Sequence, residues 1–239
     1  LYWSPELHGY IDSIGEDGEP IQRTTPDIES ERDATKPLNQ ITNGLMLYSD
    51  LVPEDRKHGT LEVLLNPDLA PPVRAGYMNF HLAEALFDHG RPVDAIQRIR
   101  DYWGEMIRRG ATTFWEDFDI EWMDNAGRID QFVPEGKKDI HADFGNYCYK
   151  GLRHSLCHGW ASGPTAWLSE HVLGIEVLEP GCKRVRIRPQ LADLAWAEGG
   201  LPTPRGVVRV RHDKRPDGSV ATSYTAPDGV EVLIDGARR

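Results

Sequence analysis

The hydrophobic period of this 239-residue chain changes once, and that change limits what it can become. Up to about residue 173 apolar side chains recur with helical spacing, and beyond it they alternate. Leu38, Ile41, Leu45 and Tyr48 stand at i, i+3, i+7 and i+10, one face of an amphipathic helix that Pro53 helps to end. Residues 61–65 predict a brief helix stopped by Asn66 and Pro67. Met78, Leu82, Ala85 and Leu86 line a further helix, which Gly90 terminates. Pro92 opens the next, where its missing N–H costs little, and Ile96, Ile99, Trp103 and Met106 form the buried stripe up to Gly110. So short a linker predicts that these two helices pack as an antiparallel hairpin. One more helix is expected at about 164–173, with Pro164 in its first turn and Gly174 after its last.

After that point Val185 and Ile187 alternate with Arg184, Arg186 and Arg188, and Val208 and Val210 with Arg209 and Arg211. Val230, Val232 and Ile234 alternate with Glu231, Leu233 and Asp235, and Pro216-Asp217-Gly218 and Pro227-Asp228-Gly229 punctuate these runs as turns. The expected fold is therefore mainly α with a C-terminal β domain: helical hairpins over 1–174, then a small antiparallel β-sandwich over 175–239. Residues 12–37, polar and rich in Gly and Pro, read as a long loop. Periodicity alone leaves a bundle, a solenoid and a ring of hairpins all open.

Charge narrows the choice of ligand. The formal charge is −11, with 11 Lys+Arg against 9 Asp+Glu in residues 173–239 and 16 against 29 in residues 1–172. So acidic an N-terminal part argues against nucleic acid, which needs clustered Lys and Arg, and suits a neutral ligand such as a sugar. No apolar run approaches the ~18–20 residues of a membrane span, and no leader is recognisable, so nothing here assigns a compartment. Three cysteines, Cys148, Cys157 and Cys182, imply no disulfide framework. His154 and His158 at i, i+4, with His141, Cys148 and Cys157 nearby, lack a C-x-x-C or H-E-x-x-H pattern, so no metal or other cofactor is expected.

The chemistry concentrates in residues 110–122, GATTFWEDFDIEW. Glu116, Asp117, Asp119 and Glu121 are interleaved there with Phe114, Trp115, Phe118 and Trp122. Aromatic faces stack on sugar rings and carboxylates move the protons of glycoside cleavage. A second cluster, SLCHGW at 155–160, precedes a GPTAWL run and then LGI at 173–175.

The blocks GATTFWE, SLCHGW, LGI and PGCKRVRIRPQL, in that order and spacing, resemble glycoside hydrolase family 78, the α-L-rhamnosidases. The resemblance runs from about Leu1 to Asp235. It implies an (α/α)6 barrel of six helical hairpins, of which this chain, beginning without Met, would hold only the C-terminal part. It also implies inverting hydrolysis of a terminal α-L-rhamnoside, in which an acid protonates the leaving oxygen and a base across the sugar, ~6.5–9.5 Å away, deprotonates water. Glu116 falls on the family's base. His158 falls on its sugar-contacting histidine, flanked by Arg153 and His154. Trp115 and Trp160 are expected near the sugar, although Trp160 departs from the family's aromatic pattern, and Asp119 is expected to orient Glu116. The family's acid sits in an upstream Arg-Asp-Glu-Arg type of motif followed by Gly-Trp. The acidic run from Glu29 to Asp33 lacks that Gly-Trp, so the acid is expected from a barrel segment that this chain lacks. Two other readings remain: another six-hairpin glycosidase with a different sugar, or a non-catalytic sugar-binding or scaffold remnant.

Overall fold

The structure is a computed structural model and describes residues 2–20, 36–143 and 154–235. The acidic run 29–33, Cys148 and Arg153 lie outside the described residues. The chain divides into two compact units, residues 1–162 and 163–239.

The first unit opens with a short antiparallel pair, β1 (Tyr2–Ser4) and β2 (Gly9–Ile11). Helix α1 (Gln40–Tyr48) follows, capped by Asn39, whose side chain accepts the Thr42 amide at 2.7 Å. Buried Asn43 on α1 reads the β2 backbone in both directions: it accepts from the Tyr10 amide at 2.7 Å and donates to the Tyr10 carbonyl at 2.9 Å. Helix α2 (Glu54–Leu65) begins seven residues before the apolar run that marks it in sequence. Its N-terminal half is polar and carries no hydrophobic period. Pro53 at the cap and Glu54 and Asp55 in the first turn start it instead, the two acids favoured by the helix dipole.

Helix α3 (Gly76–Asp88) packs against α1 and against α4 (Pro92–Ile99). Its contact with α1 depends on Gly44, where a Cβ would stand 1.9 Å from the Leu82 side chain. Gly90, at φ +75°, ends α3 as expected, and Pro92 starts α4. The following stripe is not one continuous α-helix. Residues 100–104 form a π turn that runs into α5 (Glu105–Arg108). The wider turn lets both Tyr102 and Trp103 point inward, and they join Met106 in the core. From Gly110 to Ser162 the described chain is mostly irregular, with short 3₁₀ turns at Ile120–Asp124 and Gly159–Ala161.

The second unit starts with helix α6 (Gly163–Trp167), extended by a π turn over Leu168–Val172. Strand β3 (Ile175–Val177) pairs antiparallel with β4 (Arg184–Ile187). A second sheet is the meander β5 (Trp196–Thr203), β6 (Gly206–Lys214) and β7 (Val220–Thr225). Strand β8 (Glu231–Ile234) then returns to β4 and lies parallel to it. The expectation of wholly antiparallel pairing is corrected at this pair. The β5–β7 meander supplies the long crossover that parallel neighbours need. Alternation sorts β6: Val208, Val210 and His212 are buried, whereas Arg209 and Arg211 face solvent. The arginines on β4 are held by acids, Arg184 by Glu179 at 2.6 Å and Arg186 by Glu176 at 2.9 Å, and Arg188 just past the strand is held by Asp235 at 2.7 Å.

Candidate active site

The two chemistry-bearing motifs are zipped together in the first unit. The Glu116 amide donates to the Ser155 carbonyl at 2.9 Å, and the Ser155 amide returns a bond to Glu116 Oε2 at 3.1 Å. The His158 amide donates to the Phe114 carbonyl at 2.7 Å, and the Thr113 hydroxyl to the Leu156 carbonyl. On the other flank, the Phe118 amide donates to the Arg74 carbonyl at 3.2 Å, next to a bridge between Ala75 and Asp117. Residues 113–118 are thus clamped between the segment before α3 and residues 155–158.

Residues 115–119 are all buried. Trp115 and Phe118 carry the apolar part. Trp115 is fully enclosed with Phe118 in a cluster that includes Tyr102, Trp103, Met106 and Trp122. Ring centroids lie 5.8 Å apart for Trp115–Phe118 and 5.7 Å for Phe118–Trp122, both edge-on. Trp115 therefore packs the floor of the site and presents no face to a sugar.

The three acids meet different fates. Asp119 bonds Arg74 Nε at 2.6 Å and caps the 3₁₀ turn by accepting the Glu121 amide at 2.9 Å. It holds the loop, and with it the backbone that carries Glu116. Asp117 has no hydrogen-bond partner on either carboxylate oxygen among the described residues, and the Phe118 amide that could serve it is spent on Arg74. Burial, reinforced by the neighbouring Asp119 and Glu116 and opposed by Arg74, pushes its carboxyl up to about 7. Asp119 has the Arg74 guanidinium, and Asp117, buried beside it without a hydrogen bond, is the carboxyl pushed towards its protonated form. It is 3 % exposed, about as enclosed as Glu116 beside it at 6 %.

Glu116 is 6 % exposed, and its carboxylate accepts one main-chain amide, that of Ser155. Among the described residues no cation pairs with it. Arg108 binds Glu105, and Arg109 donates to the Met123 carbonyl. His154 is buried and bonded through Nε2 to the Asp117 carbonyl at 2.8 Å, with its pKa lowered chiefly by burial. It is a neutral structural histidine.

The accessible aromatic surface belongs to later residues. Trp160 is 49 % exposed, and its Nε1 donates to the Glu116 carbonyl at 3.2 Å. His158, partly buried, stands edge-on to Trp160 at 4.8 Å. Tyr77, which sequence reasoning passed over, lies nearly parallel to Trp160 at 6.1 Å and 19°. Arg74 was missed as well, and only its place before an apolar helix with no acid nearby in sequence could have drawn notice. Among the described residues no group of three or more His, Cys, Asp or Glu is placed to hold a metal ion. A cavity of about 250 Å³ is lined by Gln40, Asn79, Arg98, Tyr102 and, from the first motif, Ile120, among others.

Residues 174–235 match the family model described as the bacterial alpha-L-rhamnosidase C-terminal domain. An alpha-L-rhamnosidase of Alteromonas sp. (strain LOR) is 28 % identical over 192 residues, which is 77 % of this chain and 18 % of that protein. The crystal structure of a GH78 family rhamnosidase of Bacillus sp. GL1 superposes with a TM-score of 0.67 at 26 % identity, over 98 % of this chain and 21 % of that one. A rhamnosidase of Aspergillus terreus shares the fold, with a TM-score of 0.59 at 21 % identity, over 87 % of this chain and 22 % of that one. The chain thus spans about a fifth of the length of these relatives.

Proposed function

The chain corresponds to the C-terminal region of glycoside hydrolase family 78, and on that premise we propose that it carries the base side of an inverting α-L-rhamnosidase site. Glu116 takes the proton from the attacking water, and His158 meets a hydroxyl of the sugar. The proton for the departing oxygen comes from a carboxylic acid in a part of the enzyme other than these 239 residues. The helical hairpins of the first unit belong, on this reading, to an (α/α)6 barrel, and the two sheets of the second form a β-sandwich.

The single observation that carries the proposal is the state of Glu116. It is a nearly enclosed carboxylate, fixed by the main chain of the second motif and free of a countercharge among the described residues. A structural acid at such depth is neutralised by a neighbour, as Asp119 is by Arg74, or is driven towards its protonated form by burial, as Asp117 is. A base must instead keep its charge and its aim.

The test is Glu116→Gln in the active enzyme, assayed on 4-nitrophenyl α-L-rhamnoside. The expected loss in kcat is about 10²–10⁴, with KM little changed. A variant with near wild-type turnover would remove Glu116 from the mechanism. Proton NMR of the first product should show the anomer opposite to that of the substrate, and a panel of nitrophenyl glycosides should show preference for the rhamnoside.

A further inference from the structure

Neither Glu116 nor His158 lines the cavity of about 250 Å³ in the first unit. Its lining comes from the start of α1, the end of α2, the segment before α3, and α4. That lining is of two kinds. Leu64, Leu65, Pro72 and Val73 are apolar, whereas α4 and the π turn after it contribute Asp94, Arg98 and Asp101.

The charges in this lining do not all answer one another. Asp94 has Arg91 at 2.7 Å, and Asp101 accepts from Gln97 Nε2 at 2.6 Å. Arg98 is held by neutral oxygens among the described residues: Asn79 Oδ1 at 2.9 Å, Gln40 Oε1 at 3.1 Å and the Leu64 carbonyl at 2.7 Å. Its Nε has no hydrogen-bond partner there. Asp101 favours its charge through space, but burial outweighs that help and pulls the pKa from 12.5 down to about 10. A second cation, Lys36, donates to the carbonyl of Pro67, which also lines the cavity. Arg98 and Lys36 against Asp101 leave positive charge over.

The three neutral bonds explain where Arg98 stands, since they tie α4 to α1, α2 and α3. They do not explain its charge. A guanidinium drawn out of water with neutral partners costs stability, and an anion in the cavity would offset that cost. We infer that this cavity binds a small monocarboxylate with a compact apolar body, the carboxylate facing Arg98 and the body resting on Leu64, Leu65 and Val73. The size suits it, because roughly 150 Å³ is enough for benzene in an apolar cavity, and the remainder accommodates a carboxylate. Inorganic phosphate would leave the apolar lining unmatched, and a neutral aryl alcohol would leave the charge unanswered. The site stands apart from the reading of Glu116, and neither depends on the other.

The test is calorimetric titration of the 239-residue chain at pH 7 with benzoate, benzyl alcohol and inorganic phosphate. Benzoate should bind at least about tenfold more tightly than either of the others, as a charge-assisted bond requires. Arg98→Met should reduce benzoate to the level of benzyl alcohol, with benzyl alcohol itself unchanged, which shows that the cavity is still formed. Circular dichroism reports whether each variant folds. Should Arg98→Met fail to fold, Leu65→Trp fills the cavity and leaves Arg98 in place, and it should abolish benzoate binding. Benzyl alcohol binding as tightly as benzoate overturns the role of Arg98, and phosphate binding as tightly overturns that of the apolar lining. Benzoate binding that survives either variant in folded form, or that is absent from the wild-type chain, overturns the site.

Discussion

Both compact units bury titratable side chains, but they treat them in opposite ways. In the second unit His212 is fully enclosed, and both ring nitrogens are engaged, Nδ1 with the Thr222 hydroxyl at 2.8 Å and Nε2 with the Leu173 carbonyl at 3.0 Å. In the first unit Asp119 takes the Arg74 guanidinium, and Asp117, between Glu116 and Asp119, is left with no hydrogen bond to its carboxylate among the described residues. A satisfied polar group in a core specifies packing, whereas an unbalanced cluster costs stability. Such a cost is expected where a chain keeps a group for chemistry. Among the described residues, the buried carboxylate oxygens left without a partner both belong to the loop that carries Glu116.

The comparison can be broken at several points. The largest effect should come from Arg74→Met, which strands Asp119 without its guanidinium; about 3 kcal/mol of stability should be lost in urea unfolding. A change under 1 kcal/mol would show that the acidic loop does not need that cation.

Asp117→Asn should act in the other direction. The native carboxyl titrates at about 7, above its ordinary value of 3.8, so folding retains a proton that the unfolded chain releases. The stability it contributes is complete below about pH 4 and falls as pH rises to about 7. At pH 8 the asparagine variant should be more stable than wild type, by a margin on the order of 1–4 kcal/mol, with a flatter pH profile between 4 and 7. An unchanged profile would mean that Asp117 is not the group holding the proton.

Gly44→Ala should cost about 1–3 kcal/mol, because Leu82 must leave its place against α1. Thermal unfolding would reveal it, and a neutral result would show that the contact between α1 and α3 is slack.

The smallest effect belongs to His212. Burial lowers its pKa from the ordinary 6.5, so its contribution is present above that pH and is lost as pH falls below it. Its imidazole NMR resonances should show the neutral form persisting into mildly acidic solution. Titration at or above 6.5 would contradict the enclosed geometry.

Much of the fold could be read along the chain. Met78, Leu82, Ala85 and Leu86 mark α3, Gly90 and Pro92 mark the junction with α4, and alternation marks β4 and β6, because each depends on neighbours within a few residues. The start of α2 was hidden because dipole and cap, not apolar period, place it. Tyr102 was hidden because the π turn breaks the period that locates buried residues. The parallel partner of β4 lies beyond an entire intervening sheet, where no local pattern reaches.

For the site, the sequence by itself determined the parts: the acid–aromatic run at 110–122, the second cluster at 155–160, and the family both resemble. How those parts divide the work follows from which distant segments fold against them. The tertiary structure buries Trp115 and half exposes Trp160, gives Asp119 the countercharge that Asp117 lacks, and brings in Arg74 and Tyr77, which no motif marks. The reason is physical. Residue type sets what a side chain can do, but burial, charge balance and ring contact depend on which distant segments fold against it.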